Sequence, residues 1–360
     1  MPGQDDQHKP ERSAVPTLTV RLTRYVPAII LLAVAVYVLL PQIATFQNSL
    51  QIVKRMSPLV IACAAAAQVM SYLGYGYMLS SLAASVGNRV SIFRSALVVL
   101  ASSSIGLVAG GFVGTSAATF RLTSRAGASA KGAFLAAAFP PLFNSGVLLI
   151  VSLAGVVELL VLGKLTGPVE IAFGMAAVLL AGLAVLIVWG AYHRRQILDL
   201  AEKLSRLWSR IRRRKYDRRE DARLAQIFKA GDLFKTGAWR GPALGAVMNS
   251  LFDMLTLYLL FVAAGHAVNP GLILAGYGLT LLVAKFTFLP GGIGVVEGGM
   301  AAMYTAIGVP HAVTVVVVIV YRILSFWLPS LLGFPLFFYL ERAWHMDSDA
   351  EGDAVKGANR

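Results

Sequence analysis

Leu289-Pro290-Gly291-Gly292-Ile293-Gly294-Val295-Val296-Glu297 breaks an otherwise apolar stretch over residues 271–308. Pro290 has no backbone N–H to continue a helix, and Gly291, Gly292 and Gly294 lose the most chain entropy on ordering, so an entering helix ends here. Apolar residues resume at Val295. Two apolar arms joined by such a break read as a hairpin of short helices.

Working outward, the hairpin is flanked by apolar stretches at residues 241–264 and 312–340, and earlier ones lie at 26–46, 57–82, 132–157 and 171–192. About 20 residues of helix cross the roughly 30 Å of a bilayer's hydrocarbon. The blocks are continuous rather than alternating, so they read as helices and exclude a barrel. Composition agrees. The chain is 57% hydrophobic and 14% charged, where a soluble domain carries about a quarter charged residues.

A second glycine-rich region, residues 92–120, holds Gly106, Gly110, Gly111 and Gly114. It is entered past Arg89 and Arg94 and left at Arg121, Arg125 and Lys131. Excess cations mark the cytoplasmic side, so this segment begins and ends on one face, as a re-entrant hairpin does. A plain eight-span chain would place Arg121, Arg125 and Lys131 outside, against that charge rule. Irregular backbone at such depth is tolerated where protein or a water-filled cavity surrounds it. Gly110-Gly111-Phe112-Val113-Gly114 also matches Gly291-Gly292-Ile293-Gly294, and paired glycine breaks in two halves point to a transporter-like site near the midplane. The expected fold is an all-α polytopic membrane protein. It has six full spans and two oppositely oriented hairpins, eight hydrophobic segments in an inverted-repeat-like order, with a kink in 132–157 at Pro140 and Pro141.

The expected layout is a cytoplasmic tail over residues 1–25, a transmembrane domain over 26–340 and a cytoplasmic tail over 341–360. Arg21 and Arg24 place the N-terminus inside, and Asp5, Asp6 and Glu11 speak against a cleaved signal peptide. A basic loop, 193–240, interrupts the domain. Residues 194–240 carry 15 Lys and Arg against 6 Asp and Glu. Beside membrane helices such a loop fixes topology and meets anionic headgroups rather than nucleic acid. Within it Ile197, Leu200, Leu204, Leu207, Trp208 and Ile211 recur at helical spacing. They suit a helix lying on the inner leaflet or one packed on the bundle.

Charges at membrane depth are costly and seldom idle. Four stand out: Asp253 in the middle of 241–264, Lys285 and Glu297 on either side of the break, and Arg322 some ten residues into the last span. At 1.5 Å per residue, Arg322 lies roughly 15 Å deep, near the bilayer centre. Two acids and two bases at one level can compensate one another as a packing network. They can equally line a path for a charged headgroup, with glycine N–H groups facing an anion where the helix bearing Glu297 starts. Gly294 and Gly298 have the small-xxx-small spacing of close helix contacts. Gln68, Tyr72 and Tyr75 share one helical face, as do Asn249 and Asp253, the usual arrangement of interhelical hydrogen bonds.

Other chemistry finds little support. His8, His193, His266, His311 and His345 are scattered, and Cys63 is the single cysteine. No metal set, phosphate loop or nucleophilic triad forms a pattern. No cofactor is expected, and the chain does not read as an enzyme.

Leu289 to Glu297, followed by Tyr321-Arg322, Trp327, Pro329 and Gly333, resembles the lysylphosphatidylglycerol synthase/flippase transmembrane-domain family, over roughly residues 26–340. The resemblance implies paired re-entrant hairpins and movement of aminoacylated phospholipids or other lipid-linked molecules between leaflets. It makes Glu297 and Arg322 the leading functional pair, with Tyr321 beside them and Gly291, Gly292 and Gly294 shaping the turn. Bifunctional members carry an aminoacyltransferase domain after the membrane part, whereas residues 341–360 alone follow the last expected span here, so the synthase reaction is not carried over. Members also often show Gly-Glu in the first hairpin and an Arg in the span after it. This chain has Gly114-Thr115-Ser116 and Pro140-Pro141.

The expected function is a flippase-like protein of the cell membrane that translocates a phospholipid or lipid-linked molecule, with Asp253, Lys285, Glu297 and Arg322 meeting the headgroup. One alternative is a membrane enzyme or synthase subunit holding an anionic donor at Arg89, Arg94, Arg121 or the basic loop. Another is a scaffold that recruits a cytoplasmic lipid-modifying synthase through the basic loop.

Overall fold

The computed structural model describes residues 52–109, 111–161, 175, 178, 181–182, 237–285, 287 and 290–358. The expected spans at 26–46 and 171–192 and nearly all of the basic loop lie outside these residues, isolated positions apart.

Every regular element among the described residues is helical. In chain order they are α1 (Pro58–Ala84), α2 (Ile92–Val108), α3 (Phe112–Arg125), α4 (Ala130–Ala138) and α5 (Pro140–Val161). After the gap come α6 (Arg240–Ala263), α7 (Pro270–Lys285), α8 (Val295–Ala306), α9 (His311–Arg322) and α10 (Leu328–Ala358). Among the described residues four stretches are long and apolar enough to cross a membrane: Pro58–Ala84, Ala130–Val161, Arg240–Ala263 and His311–Trp344. Ile92–Val108 and Pro270–Lys285 are apolar but shorter. This is the architecture of a polytopic membrane protein.

Local chemistry accounts for the boundaries. The Ser91 and Ser129 hydroxyls accept from the N–H groups of Arg94 and Gly132 at the starts of α2 and α4, satisfying donors that no earlier turn can reach. Pro140 starts α5 two residues after α4 ends at Ala138, so 132–157 is broken where its prolines stand. The last span is interrupted too. A π-helical turn, Ile323–Trp327, separates α9 from α10. Pro329 has no N–H for the carbonyl four residues back, that of Ser325, and the Tyr72 hydroxyl donates to that oxygen at 3.1 Å.

Both glycine-rich regions fold as helix pairs. In the first, α2 and α3 pack together, with Ala109 ending one and Gly111 starting the other. Gly111 there has a φ of 63°, and its N–H donates to the Gly106 carbonyl. In the second, α7 and α8 run antiparallel, with Gly276 against Tyr304 and Gly299 against Thr280. Gly299 therefore makes the close contact expected of Gly298, which has open space beside it.

Lipid offers helices little hydrophobic drive to associate, so small residues that admit close backbones set the packing. At the α1–α6 contact a Cβ on Gly245 would fall 2.6 Å from the Met78 nitrogen. Side chains gather into two main apolar clusters. One joins Leu257, Phe261, Tyr277, Met300, Tyr304, Val317 and Tyr321 from α6 to α9. The other joins Leu79, Val98, Leu122, Phe337, Leu340 and Trp344 from α1 to α3 and α10. Arg121 and Arg125 clasp Glu341, tying the exit of the first hairpin to α10.

Candidate functional site

The Pro290–Gly292 turn is held in a shape that glycine alone adopts without strain. Gly291, Gly292 and Gly294 have φ of 64°, 62° and 84°, in the half of backbone space where a Cβ is penalised. At Gly291 a Cβ would also collide with the Phe326 ring.

The first turn of α8 follows. Gly294 is its N-cap and donates its N–H to Glu297 Oε2 at 2.7 Å. This is the carboxylate half of a capping box, since glycine has no side chain to return the second bond. The N–H of Gly294, expected to face an incoming anion, is thus occupied by the helix's own glutamate. The other oxygen, Oε1, accepts from Arg322 Nε at 2.7 Å, and the two side chains are 7% and 6% exposed. Arg322 Nη2 donates to the Gly291 carbonyl at 2.9 Å, and its guanidinium carbon lies 4.1 Å from the centre of the Phe326 ring. Glu297 and Arg322 therefore lock the glycine turn to α9, with one charge neutralising the other in low dielectric.

Asp253 does not join that pair. Its Oδ2 accepts from the hydroxyls of Tyr277 and Tyr321, each at 2.8 Å. It sits in a polar ladder where α6 meets α1. Asn249 exchanges hydrogen bonds with Ser71, Gln68 lies against Asp253, and the Thr256 hydroxyl donates to the Ala64 carbonyl. Asn249, Asp253 and Thr256 recur at helical spacing, which puts all three on the face α6 turns to α1.

Lys285 stands apart from both groups and makes no ion pair with any described residue. It is exposed in a groove of about 710 Å³. The first hairpin contributes Gly106, Gly111, Phe112 and Thr115 to the wall; the second contributes Ala284, Lys285, Gly291 and Gly292; Phe326 lines it too. Both glycine turns thus open onto one cavity. The same Phe326 ring covers Arg322, so the groove is one side chain away from the buried ion pair.

The four charges expected to compensate one another are therefore three separate arrangements: an ion pair, a tyrosine-bound carboxylate and a lysine in a groove. Asp253 and Glu297 both meet α9, but through adjacent residues: Asp253 takes the Tyr321 hydroxyl and Glu297 the Arg322 guanidinium. Tyr277 and Phe326 are participants that reading the sequence missed. Phe326 falls in an apolar run, and its one signal is a spacing of four from Arg322, which the π-turn then distorts. Among the described residues no group of three or more His, Cys, Asp or Glu could hold a metal.

Sequence comparisons find relatives among membrane proteins. A UPF0104 membrane protein of Pyrococcus horikoshii is 28% identical over 172 residues, which cover 45% of this chain and 51% of the relative. One from Methanocaldococcus jannaschii is 31% identical over 97 residues, 27% of this chain and 29% of the relative. One from Methanothermobacter thermautotrophicus is 34% identical over 88 residues, 24% and 26%. The matched stretches thus span about half or less of each relative's own length. The family model described as the lysylphosphatidylglycerol synthase transmembrane region matches residues 26–333. With a match over most of its length, this membrane protein belongs to the lysylphosphatidylglycerol synthase transmembrane-region family, whose name ties it to lipid metabolism.

Proposed function

We propose that this protein moves a phospholipid or lipid-linked molecule between leaflets of the cell membrane, with no reaction of its own. One observation carries the reading: the groove walled by both glycine hairpins, with Lys285 in its wall and Phe326 between it and the Glu297–Arg322 pair. Spontaneous flipping is slow because the headgroup must shed its water. A groove that offers the headgroup Lys285 and glycine backbone lowers that cost while acyl chains stay in lipid. Lys285 suits an anionic headgroup, the Gly291, Gly292 and Gly294 turn admits it close to backbone, the Gly291 carbonyl and Gly294 N–H hold the pair in place, and Asp253 with Tyr321 forms a separate polar group beside it.

The topology belongs to this reading. It comprises six full spans and two oppositely oriented hairpins, with both termini in the cytoplasm. Arg121 and Arg125 then meet Glu341 at the cytoplasmic face, where the charge rule puts them. A cytoplasmic enzyme would supply the modified lipid, docking near the basic loop.

The test is a proteoliposome assay with fluorescent phosphatidylglycerol and an impermeant quencher. Wild-type protein is expected to expose the inner-leaflet label to quenching. Glu297→Gln and Arg322→Ala are expected to abolish this while remaining monodisperse. Equal transfer by folded variants would remove the site assignment, and turnover of the lipid by the pure chain would instead favour an enzyme.

A further inference from the structure

The Glu297–Arg322 pair is electrically closed, but Asp253 is not. It stands at the middle of α6, and no cation among the described residues pairs with it. Two tyrosine hydroxyls converge on Oδ2 alone. Gln68 lies against the same carboxyl group and is itself 6% exposed, with a buried Oε1 that has no hydrogen-bond partner. A side-chain amide offers N–H donors or, after a half-turn, a carbonyl acceptor. Gln68 can thus donate to an ionised Asp253 and, after a half-turn of its amide, accept from a protonated one.

We propose that Asp253 is a proton-binding site whose loading accompanies entry of an anionic headgroup into the groove. The coupling rests on the lipid-transfer reading above. Its physical basis is charge. With Asp253 ionised, Asp253, Glu297, Arg322 and Lys285 sum to zero. With Asp253 protonated they sum to a single positive charge, which favours an anion beside Lys285. The connection runs through consecutive residues: Tyr321 donates to Asp253, and Arg322 next to it lies against the Phe326 ring that lines the groove. A proton enters on Oδ1 and leaves from the same oxygen after the headgroup has crossed, with no other bond made or broken.

Other titratable groups around Asp253 are few. Tyr277 comes from α7, Tyr321 and Arg322 from α9, and Tyr72 from α1. On α5 the titratable side chain is Glu158, which sits against Gly271 instead.

Two measurements on the full chain decide the matter. In phosphatidylcholine nanodiscs, an infrared titration is expected to show a carboxylic C=O band that grows on acidification and is absent from Asp253→Asn. A band unchanged in Asp253→Asn overturns the proton site. If Asp253→Asn does not fold, Tyr321→Phe is expected to shift the pH at which the band grows, and an unshifted band overturns it equally. In proteoliposomes, wild-type transfer of fluorescent phosphatidylglycerol is expected to rise several-fold on acidification, approaching a pH-independent rate in Asp253→Asn. The same pH dependence in both proteins overturns the coupling while leaving lipid transfer standing. No transfer by either protein overturns lipid transfer and the coupling with it, while the infrared band still decides the proton site.

Discussion

The two glycine hairpins use one backbone device for different ends. Each starts its second helix from a glycine N-cap with positive φ, Gly111 at 63° and Gly294 at 84°. Three residues on, the second hairpin has Glu297 and the first has Gly114. Glu297 caps its own helix and binds Arg322, whereas a Cβ at Gly114 would lie 2.5 Å from the Ala109 carbonyl oxygen. The first hairpin is therefore too tightly closed to carry a side chain there. Its partners are apolar residues and the Thr115 hydroxyl, which returns to the Gly111 carbonyl at 3.0 Å. The lesson is that a glycine turn supplies shape, and chemistry enters where the position after it leaves room for an acid.

The sharpest way to break this contrast is to remove the charge that the first hairpin lacks. Arg322→Ala leaves Glu297 buried and unpaired, which typically destabilises by about 3–5 kcal/mol. Thermal unfolding in detergent, followed by tryptophan fluorescence, should show it. Arg322→Lys keeps the charge but loses the planar fork that reaches both Glu297 and the Gly291 carbonyl, so an intermediate loss is expected.

Next in size is a matched pair at nearly equal φ. Gly111→Ala and Gly291→Ala each incur about 1–2 kcal/mol of left-handed strain. Gly111 has nothing within 4 Å of an added Cβ, while Gly291 meets the Phe326 ring. Gly291→Ala is expected to be the more damaging in the same melt. Adding Phe326→Ala should cost less than the two single effects combined, because the pair is coupled. Equal melts for the two alanine variants would show that Phe326 does not restrain the turn.

Of similar size is the contrast between Gly114 and Gly298. Overpacking at Gly114→Ala should cost about 1–3 kcal/mol. Gly298→Ala meets open space and should stay within about 0.5 kcal/mol of wild type. Comparable losses at both would mean that the hairpins are packed alike.

Much of this was legible in the sequence because the bilayer imposes simple rules. Long apolar runs predicted the helices α1 and α6, paired glycines predicted both hairpins, and Pro140 marked a break. Glu297 and Arg322 were legible as costly charges, and they do pair across 25 positions. Asp253 was legible as a charge but not in its partners, because Tyr321 is 68 positions away and its hydroxyl looks like any other aromatic of the apolar stripe. The π-turn was hidden for a related reason. Pro329 signals a defect, but only the Tyr72 hydroxyl from α1 shows how the freed carbonyl is satisfied. Sequence periodicity reports which face a residue occupies, and it does not report which helix meets that face.

The shared groove is the central claim, and a reversible link across it tests that most directly. Phe112→Cys and Thr287→Cys, one on each wall, can be joined in a Cys63→Ser background by a cleavable thiol crosslinker, since Cys63 is the single native cysteine. Transfer of fluorescent phosphatidylglycerol is expected to stop on crosslinking and return on cleavage. Unchanged transfer through fully crosslinked protein would show that lipid does not pass between the two hairpins.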